Sequence, residues 1–282
     1  MVGEVDRALR HVGELAELRG LGPGSHVCCV LESGVQFDSW TADCLAEGVV
    51  AGQKLFRFSP APAHPQDDVT VVEPFHALLE SGPLVASSVY AMVRRETEMA
   101  RREGFRGLRL VADMDWLLAQ PPSPRELVAF ELMLDELVAE LEATVVCGYR
   151  LAHYAPENIA ELVAVHPLSA GKAPADLNFR MWNIDRGTWE LSGEIDILNS
   201  EQFQRALAIA STHGPLRRLR LGQLSFISAD GIAALAEAAA AQPLQPISVQ
   251  GATKLFHECW TYLGLAETLP HVTFEQAQDG RT

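Results

Sequence analysis

The chain has 282 residues, 48% of them hydrophobic, with 22 basic against 37 acidic side chains and a formal net charge of -15. That length accommodates two compact domains with ordinary cores, and nothing in the composition points to disorder. The acid excess, concentrated before residue 178, argues against a long interface with a phosphate backbone, which needs clustered Lys and Arg, so nucleic acid is not an expected partner.

Taken in chain order, residues 4–19 place Val5, Leu9, Val12, Leu15 and Leu18 near one helical face, and GLGPG at 20–24 ends that stretch, predicting an amphipathic helix over 1–20. HVCCVL (26–31) is a continuous apolar run suited to a buried strand, followed by the turn Glu32, Ser33, Gly34 and a helix through Trp40, Cys44 and Leu45. KLFRFS (54–59) reads as a second strand, APAHPQDD (61–68) as a surface loop, and 85–103 as a helix that grows more charged toward its end. RLVADMDWLL (109–118) begins as a third strand and stops at two acids, PPSPRE (121–126) starts a long helix to Ala143, and TVVCGYRL (144–151) is a fourth strand. Strands alternating with helices imply parallel pairing with helices on both faces, because parallel neighbours need a crossover of that length. The expectation is an α/β protein whose first domain, 21–170, is a three-layer parallel sheet of the RecA or KaiC type. The polar stretch HPLSAGKAPADLN (166–178) marks the boundary. A smaller α/β unit follows over 178–282, with strands in NFRMW, WELSGEIDI (189–197), PLRRLRLGQLSFI and PISVQG (246–251), and helices over 200–212, Ala229–Ala241 and Thr253–Leu269.

The five cysteines, Cys28, Cys29, Cys44, Cys147 and Cys259, form no CxxC pair and lie mostly in apolar runs, where free cysteine behaves as a small hydrophobe. This predicts a reducing, cytoplasmic setting. No run reaches the about 18 apolar residues of a membrane span, and Glu4 and Asp6 stand where an export leader would be basic.

Ligands in an open parallel sheet bind beyond the carboxyl ends of the strands, which nominates Glu32, Ser33, Ser59, Asp113, Asp115, Trp116 and Tyr149 as a site for a small organic or cationic ligand. His26 and Cys28 share a strand face, but no third or fourth ligand is visible beside them, and a buried, hydrogen-bonded histidine is the preferred reading; His153 and His166 show no better partners. No metal and no cofactor is expected. The acids of the long helix, Glu126, Glu131, Asp135, Glu136, Glu140 and Glu142, read mostly as a solvated face, with Glu131 the one that could turn inward. The stretch after the first strand, ESGVQFDSW, lacks the lysine and hydroxyl of a phosphate loop, Gly171-Lys172 has no preceding GxxxxG frame, and there is no GxSxG elbow. Catalysis is not expected.

In LGQLSFISADGIAAL (221–235) an apolar strand meets a helix at Ser228, Ala229, Asp230 and Gly231, with a carboxylate placed where helix N–H groups favour negative charge. This segment resembles the switch of STAS domains, the fold of anti-sigma factor antagonists, in which the residue before the glycine is a phosphorylated serine. LSGEID (191–196), AALAEAAAA (233–241) and HECWTYLGLAETL (257–269) resemble the same family's opening strand, second helix and closing helix. The resemblance implies a docking module whose partner is an anti-sigma factor or a related kinase or regulator. Asp230 then stands at the phosphoacceptor position as a partial mimic, since phosphoserine carries about -1.5 to -2 charges and Asp only one. Asp230 acting as a helix cap, and Ser228 or Ser225 as alternative acceptors, remain open. Residues 22–167 resemble the MEDS domain, a sensory module associated with a dichloromethane-responsive regulator, through GSHVCCVLES (24–33), the Gly48-to-Lys54 turn, LRLVADMDW (108–116), the Glu131 helix, VVCGYRL (145–151) and His166-Pro167. Together these imply a non-enzymatic sensor joined to a docking module. The alternatives are a nucleotide-binding or weakly hydrolytic RecA-like domain with the second unit as an appendage, and a structural assembly; a homo-oligomer is left open.

Overall fold

The computed structural model describes residues 10–59, 69–72, 85–172, 178–185 and 187–275. The proline-bearing loop at 61–68 and the first part of the expected N-terminal helix lie outside the described residues. The described remainder of that helix is something else: β1 (Gly13–Leu15), paired in parallel with residues 168–170. The apolar spacing of Val12, Leu15 and Leu18 fits a helix, but Gly13 has φ 131 and Gly20 φ 70, and backbone pairing with a neighbouring strand wins.

The first unit continues through β2 (His26–Leu31), α1 (Gly34–Val50), β3 (Lys54–Phe58), β4 (Val69–Val72), α2 (Ala86–Arg102) and β5 (Leu108–Asp113). A 3-10 turn over Met114–Ala119 follows, then α3 (Pro124–Leu141), β6 (Thr144–Arg150), α4 (Pro156–Ala164) and β7 (Leu168–Gly171). The sheet is wholly parallel in the order β1-β7-β2-β6-β5-β3-β4. All of β2 and β5 is buried, as continuous apolar runs require when both faces are covered. Val27, Cys29, Leu31, Leu55, Val111 and Val146 face α1, while Cys28, Val30, Phe56, Leu110, Val145 and Cys147 face the layer of α2, α3 and α4. The expected boundary segment 166–178 thus opens with a strand, β7, inserted between β1 and β2; its polar letters hid it because Ser169 is buried and satisfied by Arg180.

The second unit holds β8 (Phe179–Asp185), β9 (Thr188–Ile195), α5 (Ser200–His213), β10 (Arg218–Ile227), α6 (Ala229–Ala240), β11 (Ile247–Gln250), α7 (Lys254–Tyr262), α8 (Leu265–Thr268) and β12 (Val272–Glu275). Its sheet runs β12-β11-β10-β9-β8, parallel except for antiparallel β8. The single helix expected over 253–269 is two, broken at Gly264 with φ 70. The chain is therefore an α/β protein of two sheets.

α3 joins them. Ser123 and Glu126 form a reciprocal capping box with Pro124 in the first turn, which fixes where the helix starts, and the left-handed Glu142 ends it. One side packs on the first sheet through Phe130, Leu134 and Val138, and another, through Val128 and Leu132, enters the core of the second unit with Phe179, Met181 and Phe203. A helix enclosed on several sides cannot present a wide acidic face. Of the six acids read as mostly solvated, Glu131 and Asp135 are completely buried.

Candidate functional site

The buried polar residues of the first unit converge on one point. His26 opens β2, Cys147 and Tyr149 lie on β6 facing the same layer, Glu131 and Asp135 sit one turn apart on α3, and His166 follows α4; all six are fully buried. Glu131 Oε2 lies 3.2 Å from His26 Nε2 and 3.3 Å from His166 Nε2. Cys147 Sγ lies 3.7 Å from that same oxygen and 3.7 Å from His26 Nε2. The other carboxylate oxygen, Oε1, accepts the Tyr149 hydroxyl. Both imidazoles are anchored at Nδ1, His26 to Asp135 Oδ1 at 3.2 Å and His166 to the Leu162 carbonyl at 2.6 Å. The rings stand 4.1 Å apart, centroid to centroid.

The electrostatics follow from this packing. Burial opposes ionisation of Glu131, but His166 and His26 outweigh it and hold the carboxyl well below its usual range. Burial likewise opposes Asp135, and Arg10 and His26 outweigh it. Burial pulls His26 down, and hydrogen bonds to Asp135 and Glu131 more than reverse that, so its pKa is raised; His166, depressed by burial and by His26 beside it, is lowered. Burial and the nearby Glu131 charge push the Cys147 thiol up.

Asp135 carries the cluster to the second sheet. Its Oδ1 and Oδ2 accept Arg10 at 2.6 and 2.9 Å, and Oδ2 also accepts the Asn183 backbone N–H of β8 at 3.1 Å. From β8 the Arg180 guanidinium reaches back, donating to the carbonyls of Val163 and His166, each at 3.2 Å, and to Ser169 Oγ at 2.7 Å. Cys147 also lines a wholly apolar cavity of about 30 Å³ with Val93, Leu110, Trp116 and Phe130.

The residues nominated at the strand ends are divided among several places. Glu32 is exposed with Lys172 3.9 Å away, Ser33 caps α1 by accepting the Gln36 N–H, and Ser59 is buried at the end of β3. Asp113 and Asp115 are both bound by the Arg150 guanidinium, and Asp115 Oδ2 lies 2.7 Å from His153 Nδ1. The Arg150 guanidinium thus lies between the two carboxylates, while Asp115 Oδ1 stays buried without a hydrogen-bond partner. Burial raises the Asp113 pKa despite Arg150. Trp116 is in the core of the α2/α3 layer, and Tyr149 points away from the strand ends to Glu131. The missing partners of His26 are Glu131, Cys147 and His166, distant in sequence, and the local signal is a carboxylate, Glu131, interrupting the apolar run AFELML (129–134).

In the second unit, Ser228 and not Asp230 is the cap of α6: its Oγ accepts the Gly231 N–H at 3.3 Å. Ala229 and Asp230 are exposed in the first helical turn. Gly231 is buried where a Cβ would stand 2.7 Å from Ile195 Cγ2 and from Ile227 Cγ1, so the helix start packs closely on the sheet. Ser225 Oγ donates to the Gly193 carbonyl at 2.9 Å. Among the described residues no helix is long and apolar enough to cross a membrane.

No curated protein matches this sequence. The family model described as MEDS, MEthanogen/methylotroph, DcmR Sensory domain, matches residues 25–167, a span that contains His26, Glu131, Asp135, Cys147, Tyr149 and His166 and ends where β7 begins. That match covers half of the chain, which belongs to the MEDS family of sensory domains.

Proposed function

We propose that the chain is a non-enzymatic signalling regulator in which the MEDS sensory domain controls a STAS-type docking module, with an anti-sigma factor kinase or a related regulator as partner. The observation that carries the docking half is Asp230, an exposed carboxylate in the first turn of α6, just beyond the carboxyl end of β10. Helix N-termini favour negative charge, so the acid is both stabilised and displayed. Phe226 before it and Ile197 and Leu198 after β9 are exposed at the same end of the sheet, 48%, 74% and 70% respectively, and put an apolar rim beside the charge. A groove lined by Leu224, Phe226, Ile232, Leu255 and Phe256 adjoins them. The reading is also supported by the strand–helix alternation of the second unit and by the residues that resemble the STAS family. A small ligand acting on the first unit would reach this surface through α3 and β8.

The test is calorimetric titration of the full chain with purified anti-sigma factor kinases of the same organism. A kinase should bind the wild type, and Asp230→Lys should weaken it at least tenfold, about 1.4 kcal/mol. Asp230→Ser should become a phosphate acceptor when the same kinase is given ATP. Absence of binding by any such kinase, together with an Asp230→Ser chain that gains no phosphate, overturns the reading.

A further inference from the structure

The contacts around Glu131 have a feature that hydrogen bonding alone does not satisfy. His166 donates its Nδ1 proton to the Leu162 carbonyl, which leaves Nε2 as a lone pair. In the neutral ring that lone pair is fully buried, makes no hydrogen bond of good geometry, and faces the carboxylate oxygen Glu131 Oε2 at 3.3 Å, an approach that only a second proton on His166 or a cation between the two turns attractive. Two acceptors face each other, and the same oxygen is approached by His26 Nε2 and by Cys147 Sγ. Arrangements of this kind persist when a positive centre lies between the acceptors. A second proton on His166 would supply one, but only by placing an imidazolium against His26, whose ring centroid is 4.1 Å away.

The geometry points to a divalent transition-metal site of the zinc class, with His26 Nε2, Glu131 Oε2, Cys147 Sγ and His166 Nε2 as its four ligands. Bonds of about 2.0–2.2 Å to nitrogen and oxygen and about 2.3 Å to sulfur, at tetrahedral angles, give edges of about 3.4 Å between nitrogen and oxygen and about 3.6 Å to sulfur. Four of the six edges measure 3.2, 3.3, 3.7 and 3.7 Å, and all four atoms lie within 4.8 Å of one another. Two imidazoles and a thiolate select zinc-like ions over calcium or magnesium, which take oxygen ligands. The surrounding bonds are those that orient metal ligands: a carboxylate on one histidine Nδ1, a backbone carbonyl on the other, and a hydroxyl on the free carboxylate oxygen. Binding breaks the Cys147 S–H bond and releases its proton, so thiolate and carboxylate together balance the two charges of the ion. The ligands come from β2, α3, β6 and the end of α4, so the ion pins both sides of the α3 layer. Because the site is enclosed, the ion is taken up as the chain folds.

The test uses the full chain. Protein expressed with zinc and passed over a weak chelator should retain one equivalent by elemental mass spectrometry. The chain unfolded with chelator and refolded with cobalt should show the visible bands of a tetrahedral ion and a thiolate-to-cobalt charge-transfer band. Cys147→Ser should abolish the charge-transfer band, His166→Ala should lower retained metal at least tenfold, and Asp135→Asn, whose one contact with a ligand is the bond to His26 Nδ1, should lower affinity about 10–100-fold. A folded wild type, with native circular dichroism, that retains no stoichiometric zinc overturns the proposal, and so does a charge-transfer band that survives in Cys147→Ser. The wild-type measurement decides by itself if a variant fails to fold.

Discussion

Asp135→Ala removes the bridge between the two units. The carboxylate is wholly buried and accepts four bonds, two from Arg10, one from the Asn183 amide and one at His26 Nδ1. Breaking one partner out of a buried ion pair costs about 3–5 kcal/mol, because the survivor stays desolvated. Losing the acceptor of a buried amide costs about 1–3 kcal/mol. Arg10 recovers part of this, since its side chain is 13% exposed and keeps bonds to the carbonyls of Gly24 and Asn183. The net expectation is a loss of about 4 kcal/mol, out of the about 5–15 kcal/mol that typically separates folded from unfolded. Urea unfolding followed by tryptophan fluorescence reads both units, because Trp116 is buried in the first and Trp182, beside Asn183, in the second. With a slope of about 1–3 kcal/mol per molar, the midpoint should fall by roughly 1.3 M or more. Asp135→Asn, which keeps an acceptor for the amide but not the charge, should lose less. A loss under about 1 kcal/mol in Asp135→Ala would show that the carboxylate does not tie the units together.

Ser123→Ala removes the exposed half of the capping box of α3 and should cost about 0.5–2 kcal/mol in urea melts; an unchanged midpoint would mean that tertiary packing alone fixes the helix start. Gly193→Ala should cost well beyond the about 1–2 kcal/mol of a left-handed φ alone, because at φ +85 its Cβ would stand 1.8 Å from the Asn178 carbonyl oxygen; a thermal shift no larger than the φ cost would contradict the packing at the start of β8. Arg150→Leu leaves two buried carboxylates without their cation and should cost about 3–5 kcal/mol at neutral pH. The Asp113 pKa is already raised, by burial, with Arg150 opposing the rise. An acid raised in the folded state favours folding below its unfolded pKa of about 4 and loses that advantage as pH rises through the folded value. Arg150→Leu should therefore move the Asp113 carboxyl titration in NMR further upward, and the stability deficit of the variant should shrink as the solution is acidified. A titration that moves down would refute the assignment of Arg150 as its counter-charge.

The parallel sheet was legible because HVCCVL, RLVAD and TVVCGYR are apolar runs too short for helices and separated by crossover-length segments. Three strands of that sheet were not, β4 (VTVV) among them. β1 has three residues and its apolar spacing mimics a helix, and β7 reads as polar because Ser169 is paid for by an arginine from another unit. The candidate site was half visible. His26 was read as buried and bonded, and Glu131 as able to turn inward, but nothing local links positions 26, 131, 147 and 166, which meet only when β2 and β6 lie side by side beneath α3. Asp135 was misread for a physical reason: a helix packed on several sides keeps solvated acids mainly toward its ends, at Glu126, Glu140 and Glu142, and periodicity cannot tell how many sides are covered. Tyr149 was assigned to the strand ends by position, whereas the pleat turns its side chain toward α3.

The same geometry bounds how strongly the first unit can speak to the second. Glu131 and Asp135 are four residues apart, on one face of α3, so a shift of the first displaces the second. Beyond apolar packing, the polar links from the cluster to β8 among the described residues are the Asp135 bond to the Asn183 amide, the Arg10 bonds that share both residues, and the Arg180 bond to the His166 carbonyl. Neutral hydrogen bonds contribute about 0.5–1.5 kcal/mol each and those to charged groups about 1.5–3, and only the part that differs between two states is available for coupling. A complete inversion from one state to the other needs about 5.5 kcal/mol of differential binding, more than rearranging any one of these bonds provides. The linkage is matched instead to the 1–3 kcal/mol typical of graded allosteric control. On the proposed reading, an event at the buried cluster would retune the affinity of the second unit by a factor of about 5–150, and an all-or-none response would have to break the α3–β8 packing itself.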